Sequence, residues 1–297
     1  LEETAGLHEV PAGAYNIRAN GKAAARNTTA NIDIVSKEDK PGIDIIIKPG
    51  TVNESVHIPV VLSESGLQEC VYNDFYIGEG ADVTIVAGCG IHNGGDKDSR
   101  HDGIHSFFVG KNAKVKYIEK HFAEGDGNGA RVMNPTTIVD IAENGYMEMN
   151  TMQIKGVDST KRKTTATLGT GAKISISEKI MTHGKQIAET DFTVDMNGEN
   201  SSAHVVSRSV AKENSKQIFL ANVRGNTKCS GHTECDAIIM DKACVIATPA
   251  LTANHVDAAL IHEAAIGKIA GEQIIKLMTL GLTEEEAERE IVNGFLK

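Results

Sequence analysis

Ile77-Gly78-Glu79-Gly80-Ala81-Asp82-Val83-Thr84-Ile85 returns further along the chain as Val109-Gly110-Lys111-Asn112-Ala113-Lys114-Val115-Lys116-Tyr117. Ala113 follows Ala81 by 113 − 81 = 32 residues, and Gly145 of a weaker copy, Ile141-Ala142-Glu143-Asn144-Gly145, lies 145 − 113 = 32 further on. Fainter echoes begin at Leu168, Asn197 and Met240. Each copy runs from an apolar residue through a polar turn and a small residue into alternating apolar positions. Period-two alternation is the mark of a strand, and Gly and Asn supply corners because both tolerate positive φ. Units recurring at this interval cannot bury an apolar face alone and must stack. The expected architecture is mainly β, a parallel β-helix or solenoid over residues 41–264. An antiparallel sandwich with coincidental turns is the competing arrangement.

Composition supports thin layers. Aromatic residues are 4% of the 297 and Trp is missing, so Val, Ile, Ala and Thr must fill the core. A formal net charge of −10 excludes a nucleic-acid partner, whose phosphates demand a basic surface. No apolar run approaches the roughly 18 residues of a membrane span. Leu1-Glu2-Glu3-Thr4-Ala5-Gly6 resembles neither a signal peptide nor a lipidation motif. Cys70, Cys89, Cys229, Cys235 and Cys244 are an odd set, which points to free thiols in a reducing, cytoplasmic setting.

Residues 1–40 form a mixed segment, with short strands expected at 16–22 and 32–35. Residues 265–297 change character. Ile266, Ile269, Ile274, Leu277 and Met278 follow a helical period, and Gly281 is placed to end that helix. Thr283 and Glu286 then make a capping box for a second helix reaching about Asn293.

The chemistry-bearing residues concentrate late in the chain. Cys235 sits in Thr233-Glu234-Cys235-Asp236, and His262-Glu263 follows Ala258-Ala259-Leu260-Ile261. Thiolate, imidazole and carboxylate together suit iron or zinc. A buried structural Cys, a hydrogen-bonded His and a surface carboxylate are the plain alternatives. Adjacent strand residues point to opposite faces, so His262 and Glu263 can share a metal only across a bend or between chains. His101-Asp102-Gly103-Ile104-His105 has the spacing of a zinc-protease motif, but that motif needs a helix and a Glu. Leu168-Gly169-Thr170-Gly171-Ala172-Lys173 fails the phosphate-loop spacing, so the chain is not expected to bind nucleotide.

Thr233-Glu234-Cys235-Asp236-Ala237, Ala247-Thr248-Pro249-Ala250-Leu251, His262-Glu263-Ala264 and the closing Leu282-Thr283-Glu284-Glu285-Glu286-Ala287 resemble the SufB/SufD family, scaffold subunits of the SUF iron–sulfur cluster assembly system. The resemblance implies a right-handed parallel β-helix core with a short C-terminal helical segment, acting as a scaffold for a transient cluster and not as an enzyme. It implies cluster or sulfur binding at Cys235, and ligation by Glu263, as in SufB-type members, and by His262, as in SufD-type members. Gly88-Cys89 followed by His105-Ser106 is similar to the SufB segment whose Cys accepts persulfide sulfur. The implied partners are a sulfur donor protein, a second copy or SufB/SufD paralogue, and the SufC-type ABC ATPase. The C-terminal helices would dock that ATPase through Ile274, Leu277 and Ile291. A SufD-like partner without cluster ligands, or a β-helix carbohydrate-active enzyme, are the other readings.

Overall fold

The computed structural model describes residues 11–296; the first ten residues, where the leader motifs were sought, and Lys297 lie outside the described residues. Strands are numbered in chain order. One ten-stranded sheet runs β2 (Lys22–Asn27), β1 (Ala14–Ala19), β5 (Val52–Leu62), β7 (Asp82–His92), β9 (Lys114–Glu124), β12 (Tyr146–Lys155), β14 (Lys173–Thr182), β16 (Ser201–Ala211), β18 (Cys229–Ile239), β20 (Ala258–Gly267). The facing sheet runs β19 (Cys244–Ala253), β17 (Lys216–Gly225), β15 (Ile187–Met196), β13 (Ser159–Leu168), β10 (Arg131–Met133), β8 (Ser99–Val109), β6 (Gln68–Ile77), β4 (Gly42–Ile47), β3 (Ile32–Ser36). Between β8 and β13, β11 (Thr136–Ile141) continues β10 past Asn134-Pro135, where proline has no N–H to give the ladder. Apart from the pairs β1–β2 and β3–β4, all pairings are parallel, and the chain alternates between the sheets. The result is a β-solenoid of about 8 turns, not a sandwich.

The quoted repeat is one corner of that solenoid. Gly80, Asn112, Asn144, Gly171 and Asn200, at the same place in each copy, have φ between 56° and 66°. They stack, with each N–H reaching a carbonyl of the next turn, as Gly80 does to Lys111 at 2.9 Å and Asn112 to Glu143 at 3.0 Å. Ala81, Ala113 and Ala172 follow at 0% exposure, because a corner wall admits only a small side chain. The Met240 echo belongs elsewhere. Asp241, with φ 57°, stacks with Glu213 and Gly184 at the opposite corner, joining β18 to β19.

Inward positions of both sheets form the core. Phe75 lies flat on Phe107 with ring centroids 4.4 Å apart, both buried, and each ring contributes about 2–3 kcal/mol by leaving water. The N-terminal segment differs from expectation at 16–22. Asn20-Gly21, with φ 47° and 76°, turns the chain back, and Lys22 opens the antiparallel β2. Two left-handed residues in a two-residue hairpin explain that turn.

Beyond Gly267 come two helices, α1 (Gly271–Met278) and α2 (Glu284–Phe295). Ile266 is therefore strand and Ile269 linker, because pairing with β18 carries β20 past residue 264. The Thr283–Glu286 capping box is present in both directions, and Gly281 at φ 97° follows α1. α2 packs Val292, Leu296 and Phe295 against Val210, Met181 and Ile238. α1 buries none of its residues. Among the described residues no helix is long and apolar enough to cross a membrane.

Candidate functional site

Cys235 points into the solenoid. The alternation Gly231, Thr233, Cys235, Ala237 along β18 is the buried phase, and Cys235 is 1% exposed. Burial first, then Glu178 and Asp236, pushes its thiol up to about 12. It is a neutral thiol at ordinary pH. Its neighbour on the last strand is Ala264, a single methyl group, while Thr233 beside it is paired with His262. Thr233 Oγ1 and His262 Nδ1 are 2.6 Å apart. Burial and the neighbouring His232 hold the His262 imidazole below its usual range.

Glu263 faces the other way. It lies on the outer face of β20, where its Oε2 is 3.5 Å from His232 Nε2, and His232 stacks on His204 with centroids 5.2 Å apart. Cys235 and His262 thus share the lumenal face near the open end, whereas Glu263 does not join them within one chain. Among the described residues no group of three or more His, Cys, Asp or Glu is arranged to hold a metal ion.

The end itself is exposed. β19 and β20 are the terminal strands of the two sheets, and Ile246, Leu251, Ile261 and Ile266 are 39–56% exposed. β19 carries no charged side chain over its ten residues, and a long, uncharged edge strand is a template for pairing with another chain.

Cys89 lies on the lumenal face of β7, fully enclosed, and its thiol is raised by burial and by Glu69 and Glu119. It borders a set of polar side chains that sequence reasoning passed over. Arg162 reaches across from β13 to bond Glu119 and to approach Glu178, with Nε 3.5 Å from Glu178 Oε1. Arg162 Nη2 is 3.3 Å from His121 Nδ1. Ser207 and Thr190 hydroxyls donate to Glu178 at 2.9 and 3.0 Å. Burial opposes ionisation of Glu119, but Arg162 and His121 outweigh it and hold the carboxyl well below its usual range. For Glu178 burial prevails over Arg162 and the value is raised.

Register makes this a continuous column. Glu119 pairs with Thr151, Thr151 with Glu178, Glu178 with Ser207, and Ser207 with Cys235. Cys89 pairs with His121 one inward position along. From β7 to β18 is five inter-strand steps, roughly 24 Å at about 4.8 Å each. The signal was available: Val115 and Tyr117 fix the inward phase of β9, which places Glu119 and His121 inside.

On the helices, Ile274, Leu277 and Ile291 are half-buried. Ile275, Met278 and Leu280, at 62%, 44% and 76% exposure, are the open apolar side chains.

Residues 67–295 match the family model for the SUF system FeS cluster assembly, SufBD core domain. The chain belongs to the SufBD family. A SufBD family protein of iron-sulfur cluster assembly from Archaeoglobus fulgidus is 31% identical over 265 residues, covering 88% of this chain and 69% of the relative. One from Methanocaldococcus jannaschii is 28% identical, covering 85% and 79%. A longer one from Methanothermobacter thermautotrophicus is 27% identical, with 79% of this chain matching 57% of its length. The SufBD match takes in β6 through α2, and so includes the polar column and the open end.

Proposed function

We propose that this SufBD protein is a scaffold on which an iron–sulfur cluster is built at the open end of the solenoid, between two chains. The supporting observation is the placement of Cys235 one strand beneath a bare edge, with only the Ala264 methyl beside it on the last strand. A second copy, or a paralogue, pairing along β19 and β20 would bring its own outward carboxylate or imidazole toward this end. Cys235 would then supply sulfur ligation, with Glu263 and His262 as the oxygen and nitrogen donors. Iron must displace the proton that burial holds on Cys235, so loading releases a proton and strengthens as pH rises.

The polar column behind Cys235 gives this reading its chemistry. It offers hydroxyls, carboxylates and a guanidinium to a reacting thiol in an otherwise apolar lumen. Cys89 serves in this reading as an interior sulfur acceptor, reached only when the lumen opens. The C-terminal helices would dock a SufC-type ATPase, with Ile275, Met278 and Leu280 presenting the open face beside Ile274, Leu277 and Ile291. Rigid-body motion of the two solenoids driven by such a partner could open a site shared between them without unfolding either chain.

Anaerobic reconstitution with ferrous iron and sulfide tests the assignment. Cys235→Ala and Glu263→Ala are each expected to abolish bound iron and acid-labile sulfide while leaving the far-ultraviolet spectrum unchanged. Wild-type iron content in either variant would reject it.

A further inference from the structure

Outward side chains on the first turns of the second sheet line up in rows, one residue per strand. One row runs Asp33, Ile46, Tyr76, Phe108 and Asp140, from β3 through β4, β6 and β8 to β11. Its middle is apolar and open: Ile46, Tyr76 and Phe108 are 41–43% exposed. The Tyr76 and Phe108 rings stack at 11° with centroids 5.2 Å apart. Ile138, one row over and also exposed, lies diagonal to Phe108. The chain has only seven Phe and five Tyr, so a stacked pair standing in water calls for a cover. Both ends of the row are carboxylates. Asp33 accepts from its neighbour, the Ile34 N–H, at 2.9 Å. Among the described residues neither Asp33 nor Asp140 has an ion-pair partner.

The adjoining rows show what this face takes. Lys37 and Lys40, on the turn between β3 and β4, fold back over it. Lys37 Nζ bonds Asp44 and lies 2.7 Å from Asp74. Lys40 Nζ sits 4.5 Å from the centroid of the Tyr72 ring. A ring face attracts a cation through its quadrupole, and a carboxylate beside it adds charge-assisted hydrogen bonds. The row of Tyr76 and Phe108 offers both kinds of group, and among the described residues no cation covers it. Lys111, at the corner past Phe108, is already paired with Glu143 at 2.8 Å.

We infer that this row is a docking site for an arginine-bearing segment of a partner protein, lying extended across the strands. Asp33 to Asp140 is four inter-strand steps, roughly 19 Å at about 4.8 Å each. Seven extended residues cover roughly 20 Å, and alternate side chains face one way. The outer guanidinium groups meet the two carboxylates, and the inner ones lie on the rings. A planar guanidinium does both, whereas a lysine ammonium acts only as a point charge. Charge selects against other covers. A second copy of this face would bring carboxylates to carboxylates, and a phosphate-bearing surface would be repelled. The chain's own residues 1–10 hold Glu2, Glu3 and Glu9 without Lys or Arg. The site is on the outer face of the early turns, apart from Cys235 and the terminal strands, and does not depend on the cluster reading.

The probe is a blocked, fluorescein-labelled heptapeptide, Arg-Ser-Arg-Ser-Arg-Ser-Arg, titrated with the purified full chain and read by anisotropy. Salt at about 0.15 M keeps diffuse attraction short-ranged, with a Debye length of about 8 Å. Wild type is expected to bind it, and to bind the same peptide with lysine in place of arginine more weakly. Tyr76→Ser and Phe108→Ser should each weaken binding about tenfold. Asp33→Asn combined with Asp140→Asn should do the same. Asp82→Asn combined with Glu148→Gln removes equal charge from the outer face of the other sheet and should leave binding unchanged. Cys235→Ala should also bind as wild type does, which separates failure here from failure of the cluster assignment. A wild type that does not bind overturns the site, as do ring variants that bind normally. Equal weakening in the control pair would reduce the effect to overall charge and overturn it too. Self-association lost in Tyr76→Ser by light scattering would make a second copy the occupant instead. The Asn replacements keep side-chain shape, so they decide the matter if circular dichroism shows a ring variant misfolded.

Discussion

The middle turns of the solenoid and its last turn share strand geometry and inward columns, yet they treat polar side chains oppositely. In the middle, Glu119, Arg162, Glu178 and His121 are sealed between two apolar clusters, each with a partner from another strand or the opposite sheet. At the end, His262 and the inward Leu251 and Ile266 have no further strand above them, and Glu263 stands in water. The same column position that is a buried carboxylate at Glu178 is a thiol at Cys235. Burial alone therefore does not define a site here. What distinguishes Cys235 is that its cover ends one strand away.

The sharpest way to break the contrast is to remove the interior guanidinium. Arg162→Met leaves Glu119 and Glu178 buried without their shared cation, and urea unfolding should show a loss of about 3–5 kcal/mol. An unchanged midpoint would mean that water already reaches the layer.

Acid provides the next test. Burial holds His105 down at about 4, despite the opposing pull of Glu119 and with small contributions from His101, His121 and Arg162. An unfolded histidine titrates near 6.5. Between those two values the unfolded chain binds more protons, so stability falls as pH drops from 6.5 toward 4. The loss from this one group reaches roughly 3 kcal/mol, at about 1.4 kcal/mol per pH unit. His105→Asn should flatten that slope in denaturation series at pH 7, 5.5 and 4.5. An equally steep slope would place the acid sensitivity elsewhere.

The last turn should respond weakly in stability and strongly in association. Leu251→Asp, at a position already 39% exposed, should cost under about 1 kcal/mol yet shift the chain to monomer in size-exclusion chromatography with light scattering. A variant that self-associates as wild type does would show that this end is not the contact.

The architecture was legible because corners are chemically narrow. Only Gly or Asn occupies the left-handed position in the five copies from Gly80 to Asn200, and only a small residue fits behind it. The Thr283 cap was legible for the same reason. The polar column was not, because its members are spread from Glu119 to Cys235 and meet only through register and across the lumen. Ile266 was misread as helical because apolar spacing cannot tell the end of a strand from the start of a helix; pairing with Ala237 decides it. At the candidate site, the sequence picked out Cys235, His262 and Glu263 but not their faces. Which residue looks inward depends on a phase set by Thr233 and Ala237, and that phase was in the alternation all along.

The two termini of the solenoid are finished differently. At the first turn the antiparallel β2, with Lys22 and Arg26, and the short β3 turn the sheets back on themselves. At the other extremity, among the described residues, no antiparallel strand follows β19 or β20. If two copies meet through β19 and β20 as proposed, they would meet head to head. In the pair proposed above, the antiparallel β2 and β3 at the first turn would leave no second open edge from which a stacked fold could grow into a fibre.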